Sequence, residues 1–390
     1  VQSVVESATL AVTAKANKMK AQGIDVVSFG AGEPDFDTPA HIKAEAAKAL
    51  AAGKTKYTAA AGIPELREAI AAKLRSDNGL TWVKPDHVTT GCGGKHVLYN
   101  ALQALIDPGD EVIIPTPYWV SYGDMVLLAG GVPVYVQGRE ADDFKLSVKD
   151  LAAAVTPRTK VLILNSPNNP AGYNYEPAEL KAIADWAAGT NLIVFADEIY
   201  EKLVYPPSKF VSFATLNPAL QDKVITFNGF AKTYAMTGWR VGYAAGPAEV
   251  IKAMTNLASH STSHVTTFAQ YGAVAALTGD QGCVEAMRQQ FEKRAKLIHQ
   301  RLTALPGVTC IRPAGAFYAF PNVSAHFGRF AKSADSPKSL QFADHVLETC
   351  KVAVVPGCAF GTDDFVRLSF ATSEDQINKG LDRLEKLLKG

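Results

Sequence analysis

Four compact apolar runs, at residues 111–114, 161–164, 192–195 and 224–227, constrain the fold more than any other feature of the chain. Each is too short for a helix and is bounded by polar, Gly or Pro residues, so each reads as a strand. None shows the apolar–polar alternation of a strand with one wet face. Runs that are apolar on both faces belong to a largely parallel sheet covered by helices on each side. The intervening segments then supply helices as crossovers, which makes the chain an α/β protein. Helices are predicted at 41–52 and at 64–75, where Pro64 suits the first helical position because its missing N–H would be unpaired there anyway. Further strand signals lie at 87–90 and at 26–29, the latter running into Gly30-Ala31-Gly32.

The last third reads differently. Met287, Phe291, Ala295, Ile298 and Leu302 recur at helical spacing over 282–304, and short strand signals follow at 317–320 and 352–355. Ser373-Glu374-Asp375-Gln376 reads as a capping box before a final helix carrying Ile377, Leu381, Leu384 and Leu388. The chain has 390 residues, enough for two or three units at about 150 residues each. The change of pattern places the main boundary near residue 285. The expectation is a large unit over 41–284 and a smaller α+β unit over 285–390. Residues 1–40, too short to fold alone, are expected to pack against the smaller unit.

Lys and Arg number 39 against 38 Asp and Glu, a net charge of +1. That balance gives no electrostatic footprint for nucleic acid or an anionic membrane, and no apolar run approaches the roughly 18–20 residues a spanning helix needs. Any charged site must therefore be local. Five scattered cysteines, with no CxxC and no zinc-like spacing, read as thiols in a reducing cytosol, without a metal site. The start, Val1-Gln2-Ser3-Val4-Val5-Glu6, has neither an initiator Met nor a secretory pattern, which keeps a cleaved targeting peptide open beside a cytoplasmic location.

Four polar motifs sit at the ends of expected strands, where ligands bind in open α/β sheets. Asn165-Ser166-Pro167-Asn168-Asn169-Pro170-Ala171-Gly172 is, by itself, a turn made of turn residues. Asp197-Glu198-Ile199-Tyr200 would put Asp197 and Tyr200 on one face if the chain were helical there. Thr90-Gly91-Cys92-Gly93-Gly94-Lys95 is a Gly-rich turn opening a helix, a ready anion site, yet neither a Walker A nor a G-x-G-x-x-G sequence. The fourth runs from Asn228 to Tyr243 and sets Lys232 and Arg240 among small and aromatic residues. A buried lysine loses its proton readily and can attack a carbonyl to form a Schiff base. Arg240 suits an anion beside it.

Taken in order, N-N-P-A-G, D-E-I-Y, F-A-K-T-Y-A-M-T-G-W-R-x-G-Y and V-R-L-S-F resemble the fold-type I pyridoxal-phosphate aminotransferases. Gly32-Glu33-Pro34-Asp35-Phe36-Asp37-Thr38-Pro39 and Lys56-Tyr57-Thr58 sharpen the likeness to the Ib branch of class I aspartate aminotransferases. The resemblance spans about residue 10 to the C-terminus and implies a mostly parallel central sheet with helices on both faces, plus a smaller domain made from both chain ends. It implies pyridoxal 5′-phosphate as cofactor. Lys232 would carry the cofactor covalently and shuttle the substrate proton, Asp197 would face the pyridine nitrogen, Tyr200 and Asn169 the ring hydroxyl, and Trp119 the ring face. Arg240 and the amides of Gly93, Gly94 and Lys95 would hold the phosphate. Tyr57 would reach the phosphate of a neighbouring subunit, which implies a homodimer with shared active sites.

By the same resemblance Arg367 takes the substrate α-carboxylate, with Gly32, Trp119 and Asn169 beside it. The resemblance also implies that Lys95, matching the lysine of the Gly-Gly-Lys turn in the Ib branch, takes the distal carboxylate; residues 259–264, which match the region where the Ia enzymes carry an Arg for it, hold none. Two departures stand out: Ala171 replaces a Thr, and Gly229 a Ser, of many relatives. The implied reaction moves an amino group between aspartate or glutamate and oxaloacetate or 2-oxoglutarate by a ping-pong route. Thr58 and Lys95 also match positions associated with prephenate use. A lyase acting on S-adenosylmethionine on the same fold would keep the same reactive residues. A cofactor-dependent transcription regulator would need a DNA-binding segment for which 1–40 has no room.

Overall fold

The computed structural model describes residues 8–390 of the chain; the start of the segment expected to pack on the smaller unit lies outside them. Twelve strands among the described residues are, in chain order, β1 (Val27–Ser28), β2 (Val88–Gly91), β3 (Glu111–Thr116), β4 (Val132–Gln137), β5 (Thr159–Asn165), β6 (Ile193–Asp197), β7 (Val224–Gly229), β8 (Gly242–Ala245), β9 (Tyr318–Ala319), β10 (Val352–Ala353), β11 (Val355–Pro356) and β12 (Val366–Ser369). Seven of them form the central sheet in the order β2-β8-β7-β6-β5-β3-β4. All neighbours are parallel except β8, which runs antiparallel to both β2 and β7. The four apolar runs are its centre. Their alternate side chains enter opposite cores: Ile113, Leu162, Leu164, Val194 and Ala196 on one face, Val112, Ile114, Val161, Ile163 and Phe195 on the other. An absence of polar alternation in sequence thus becomes burial on both faces. The sequence reading did not single out β4, an edge strand with partly exposed side chains, or β8, whose Gly-Tyr-Ala-Ala is too small and short to stand out.

Helices form where expected. Ala40–Ala51 and Pro64–Ser76 occupy the first two predicted positions, with Pro64 at the start of its helix. Gly94–Leu105 opens directly after the glycine turn. Gly282–Thr303 buries Met287, Phe291, Ala295, Ile298 and Leu302. Glu374–Lys389 is capped by Ser373, whose side chain accepts from the Gln376 amide. Only that half of the box forms.

The two chain ends meet. β1 pairs in parallel with β10, Val27 opposite Val352 and Ser28 opposite Ala353. The Ser369 amide then donates to the Phe29 carbonyl at 2.8 Å. Asp25 pairs with Lys379 and Arg383 of the last helix at 2.7 and 2.5 Å. β11, β12 and β9 make a small antiparallel sheet alongside. Apolar packing does not respect chain order either: Tyr200, Leu203 and Tyr205, which follow β6, share a core with Phe291, Phe317 and Leu381.

Gly380 shows how close the ends lie, because a Cβ there would sit 2.5 Å from the ring of Phe29 and 3.0 Å from Val27. Overpacking of this kind costs roughly 1–3 kcal/mol. Gly380→Ala is expected to lower the urea midpoint accordingly, without changing the unfolding slope.

Candidate active site

The C-terminal ends of the parallel strands collect polar side chains that water does not reach. Strand order reverses across β3 and β5, so the loops after them part and leave a crevice. Register puts Asn165, the last residue of β5, opposite Asp197, the last of β6. Asp197 is buried. The Tyr122 hydroxyl donates to its Oδ2 at 2.6 Å, and the Ile199 amide to its Oδ1 at 3.2 Å. Burial nevertheless pushes the Asp197 carboxyl up to about 6, against the pull of those two donors. The chain turns after Asp197 instead of forming a helix, and the Asn165 side chain donates to the Asp197 carbonyl at 3.1 Å. Tyr200 lies buried on that turn, its hydroxyl 3.0 Å from that of Tyr318.

Backbone approach builds the anion cradle. Gly93 has φ +89°, and a Cβ there would strike Arg240 Nη2 at 2.4 Å. A Cβ at Gly242 would lie 2.3 Å from the Gly94 nitrogen, so β8 presses directly on the turn. Arg240 itself has φ +56°, and donates to the Thr237 carbonyl at 2.9 Å and the Cys92 carbonyl at 3.0 Å. The unpaired amides of a helix N-terminus, here those of Gly94 and Lys95, face a guanidinium across a turn with no side chains to fill it. Gly229 has a packing reason as well: a Cβ there would meet Gly242 Cα at 3.1 Å and the Val241 carbonyl at 3.2 Å.

Lys232 is partly buried and donates to the Gly32 carbonyl. Its Nζ lies 5.6 Å from the centre of the Phe317 ring. Burial pulls its ammonium down to about 8; Glu33 opposes this, while Arg367 and Arg240 add to it. Glu33 accepts from the Thr237 hydroxyl at 2.8 Å. Arg367 is buried, 1% exposed. Its Nη1 donates to Asn169 Oδ1 at 3.0 Å and its Nη2 to the Gly30 carbonyl at 2.9 Å, while Nε has no partner. The guanidinium stands over the Tyr318 ring at 4.5 Å and the Phe360 ring at 5.1 Å.

Lys95 is exposed in the first turn of the helix Gly94–Leu105, its Nζ 5.1 Å from the centre of the Trp119 ring. The surrounding protein and Arg240 hold its ammonium below the ordinary lysine range, with Asp124 opposing. Trp119 packs edge-on against Tyr122 at 5.3 Å. Tyr57 stands apart from these groups: it is 90% exposed and touches His264, ring to ring at 5.6 Å. Sequence reasoning did not single out Tyr122, Tyr318 or Asp124, and it gave Asn165 and Glu33 only as members of motifs, without a role. All five reach the site through tertiary contacts. Besides Asp197, two further acids act on the lysines of the site, Glu33 on Lys232 and Asp124 on Lys95.

These residues fit pyridoxal phosphate on the structure's own terms: glycines leave the cradle room, a buried carboxyl stands behind the crevice, and a lysine is poised to lose its proton. Fold and site together define a class, the doubly wound α/β enzymes that hold a phosphate-bearing aldehyde through a lysine. Sequence comparison narrows it. A family model described as aminotransferase class I and II matches residues 24–384. The chain is 50% identical over 389 residues to a Geobacillus stearothermophilus protein named aspartate aminotransferase, covering 100% of this chain and 98% of the relative. It is 48% identical over 386 residues to a Cereibacter sphaeroides protein named aspartate/prephenate aminotransferase, covering 98% and 96%. The solved structure of Thermus thermophilus aspartate aminotransferase with maleate matches with a TM-score of 0.93 at 45% identity, covering 99% of this chain and 98% of that one. The chain belongs to the aminotransferase class I and II family, and its cofactor is pyridoxal phosphate.

Only the neutral amine is nucleophilic, so Lys232 should gain reactivity as pH rises through the value its surroundings set. Acylation of Lys232 in cofactor-free protein, followed by peptide mass spectrometry, is expected to rise with a midpoint near 8. A midpoint at the free-lysine value of 10.5 would show that the surroundings do not act on it.

Proposed function

We propose that this chain is an aspartate aminotransferase, moving an amino group between aspartate or glutamate and oxaloacetate or 2-oxoglutarate in two half-reactions. The observation that carries this reading is Arg367: a fully buried guanidinium with one unpartnered N–H, held against Asn169 and Gly30 where it can meet a carboxylate. A planar fork pairs with a carboxylate through two parallel hydrogen bonds, so α-carboxylate binding also fixes orientation. Lys95 supplies a second cation for a distal carboxylate. The names of the relatives support the dicarboxylate assignment, as does a Thermus thermophilus structure solved with maleate, itself a dicarboxylate.

Bound pyridoxal phosphate supplies an electron sink that makes the Cα proton of an amino acid labile. The protein does the rest. Arg240 and the amides of Gly93, Gly94 and Lys95 would hold the phosphate, and Asp197 would keep the ring nitrogen protonated, its own charge supported by Tyr122. Tyr200 and Asn169 would donate to the ring hydroxyl, and Trp119 would cover the ring face. Lys232 would take the proton from the substrate Cα and deliver it two atoms away, to the carbon on the other side of the amino nitrogen. One amine serves as both base and acid because its pKa stands near the working pH.

The division into a cofactor-holding unit over 41–284 and a smaller unit over 285–390 belongs to the same proposal, supported by the pairing of β1 with β10. So does a homodimer in which Tyr57 reaches the partner's phosphate; its 90% exposure in the single chain supports this. No described helix is long and apolar enough to cross a membrane, and five free thiols support a cytoplasmic setting. Prephenate is a second reading, favoured by the name of the Cereibacter sphaeroides relative.

A scan of donors and acceptors, prephenate included, tests the assignment directly. Aspartate with 2-oxoglutarate is expected to turn over, and Lys232→Ala to abolish turnover; no reaction of the wild type with either dicarboxylate would overturn the proposal. Loss of one charge-assisted contact weakens binding roughly 10- to 100-fold. Lys95→Ala is therefore expected to raise KM for aspartate by that factor and KM for an aromatic amino acid far less.

A further inference from the structure

The segment from Gly32 to Thr38 crosses from one half of the molecule to the other, and its contacts alternate between them. Gly32 accepts from Lys232, and Glu33 from Thr237, on the side of the reactive lysine. Asp35 then pairs with Arg294 at 2.7 Å, and Phe36 packs edge-on against Phe291 at 5.3 Å; both partners lie on the long helix Gly282–Thr303. At the far end the Thr38 hydroxyl donates to the Ala235 carbonyl at 2.7 Å and accepts from the Trp239 indole N–H at 3.0 Å. The strap is pinned to the lysine loop at both ends and to the long helix in its middle.

Arg294 is that middle pin. It is 8% exposed, its guanidinium lies 5.2 Å from the Phe36 ring centre and 5.6 Å from that of Phe291, and its Nε finds no hydrogen-bond partner. Burying a guanidinium with an unmade hydrogen bond is costly, and one ion pair to a partly exposed Asp35 does little to offset it. A methionine of similar length would pack there without that cost. What the arginine adds is direction. It grips the strap through two successive side chains, Asp35 by charge and Phe36 by its ring face, and so fixes the turn that aims Gly32.

We propose that Arg294 is a positioning residue for the reaction: through Asp35 and Phe36 it sets the strap so that the Gly32 carbonyl faces Lys232 and the substrate space beside it. The inference rests on the aminotransferase reading and adds to it a residue that touches neither cofactor nor substrate. Misplacing a substrate-side group by about 1 Å can cost up to 100-fold; loosening one of three pins should cost less.

The test compares Asp35→Asn, Arg294→Met, Arg294→Lys and the double variant Asp35→Asn/Arg294→Met as holoenzymes. Asp35→Asn alters only the exposed end of the pair, so it keeps the test decisive if Arg294→Met does not fold. Hydrogen–deuterium exchange of peptides covering 31–38 reads the strap without reference to activity. Exchange there is expected to quicken about tenfold in Asp35→Asn and Arg294→Met while the rest of the chain stays as in the wild type. KM for aspartate is expected to rise about tenfold with a smaller change in kcat. The double variant should be no worse than the worse single, since both remove one coupling. Arg294→Lys should fall between wild type and Arg294→Met. Unchanged strap exchange in Asp35→Asn, exchange raised evenly through the chain, or additive effects in the double variant would each overturn the proposal. A wild type inactive toward aspartate would instead overturn the functional reading, and the exchange measurement would still decide the role of Arg294.

Discussion

Charge held away from water is the condition on which the rest of this structure depends. Asp197 and Arg367 are buried and Lys232 half-buried at one edge of the sheet, and water would weaken what each does. Burial, only partly offset by its donors, leaves the Asp197 carboxyl raised to about 6, and burial with the neighbouring arginines brings the Lys232 ammonium down to about 8. Left unsupported, such groups would neutralise. The fold answers with fixed dipoles. The Tyr122 hydroxyl and Ile199 amide face Asp197, the Gly32 carbonyl faces Lys232, and Asn169 with the Gly30 carbonyl faces Arg367. The sheet matters because its strand ends hold several of these partners in register, Asn165 beside Asp197 being the plainest case.

The same logic runs behind the site. Glu198 and Glu201 flank the turn carrying Tyr200 and are themselves buried. Lys73 pairs with Glu201, Asn78 donates to Glu201 at 2.7 Å, and Ser212 with the Phe213 amide satisfies Glu198. Burial pushes Glu198 up to about 8. A polar network this deep is stable only when every member is partnered. Once satisfied, it leaves the turn little freedom to move Asp197 or Tyr200.

The central sheet was legible in the sequence because burial on both faces leaves an unbroken apolar run, and 111–114, 161–164, 192–195 and 224–227 could be nothing else. The residues proposed to react could be singled out in the sequence because they sit in ordered motifs at the ends of those runs. What the sequence hid has one physical character. Tyr122, Tyr318 and Arg294 act across long separations, and nothing in their local neighbours marks them; Glu33 lies in a motif, but its contact with Thr237 shows only in the fold. β8 was hidden for the opposite reason: its Gly242 is selected by contact with Gly93 and Gly94, not by hydrophobicity, so it carries no periodic signal. Cap chemistry was read correctly in kind but not in extent, since Ser373 binds the Gln376 amide without the reciprocal bond.

The pairing of Val27 with Val352 bears on how the protein is made. A ribosome releases residues 27–30 early and Arg367 last of the site residues, so for most of synthesis the β1 edge and the Gly30 carbonyl have no partner. The sheet from β2 to β8, complete by residue 245, can form while the leading segment waits. Domains generally fold as units in the order they emerge, and β1 can pair with β10 only after residue 353 has been made. Lys232 is therefore made well before Arg367, the arginine proposed to take the substrate carboxylate.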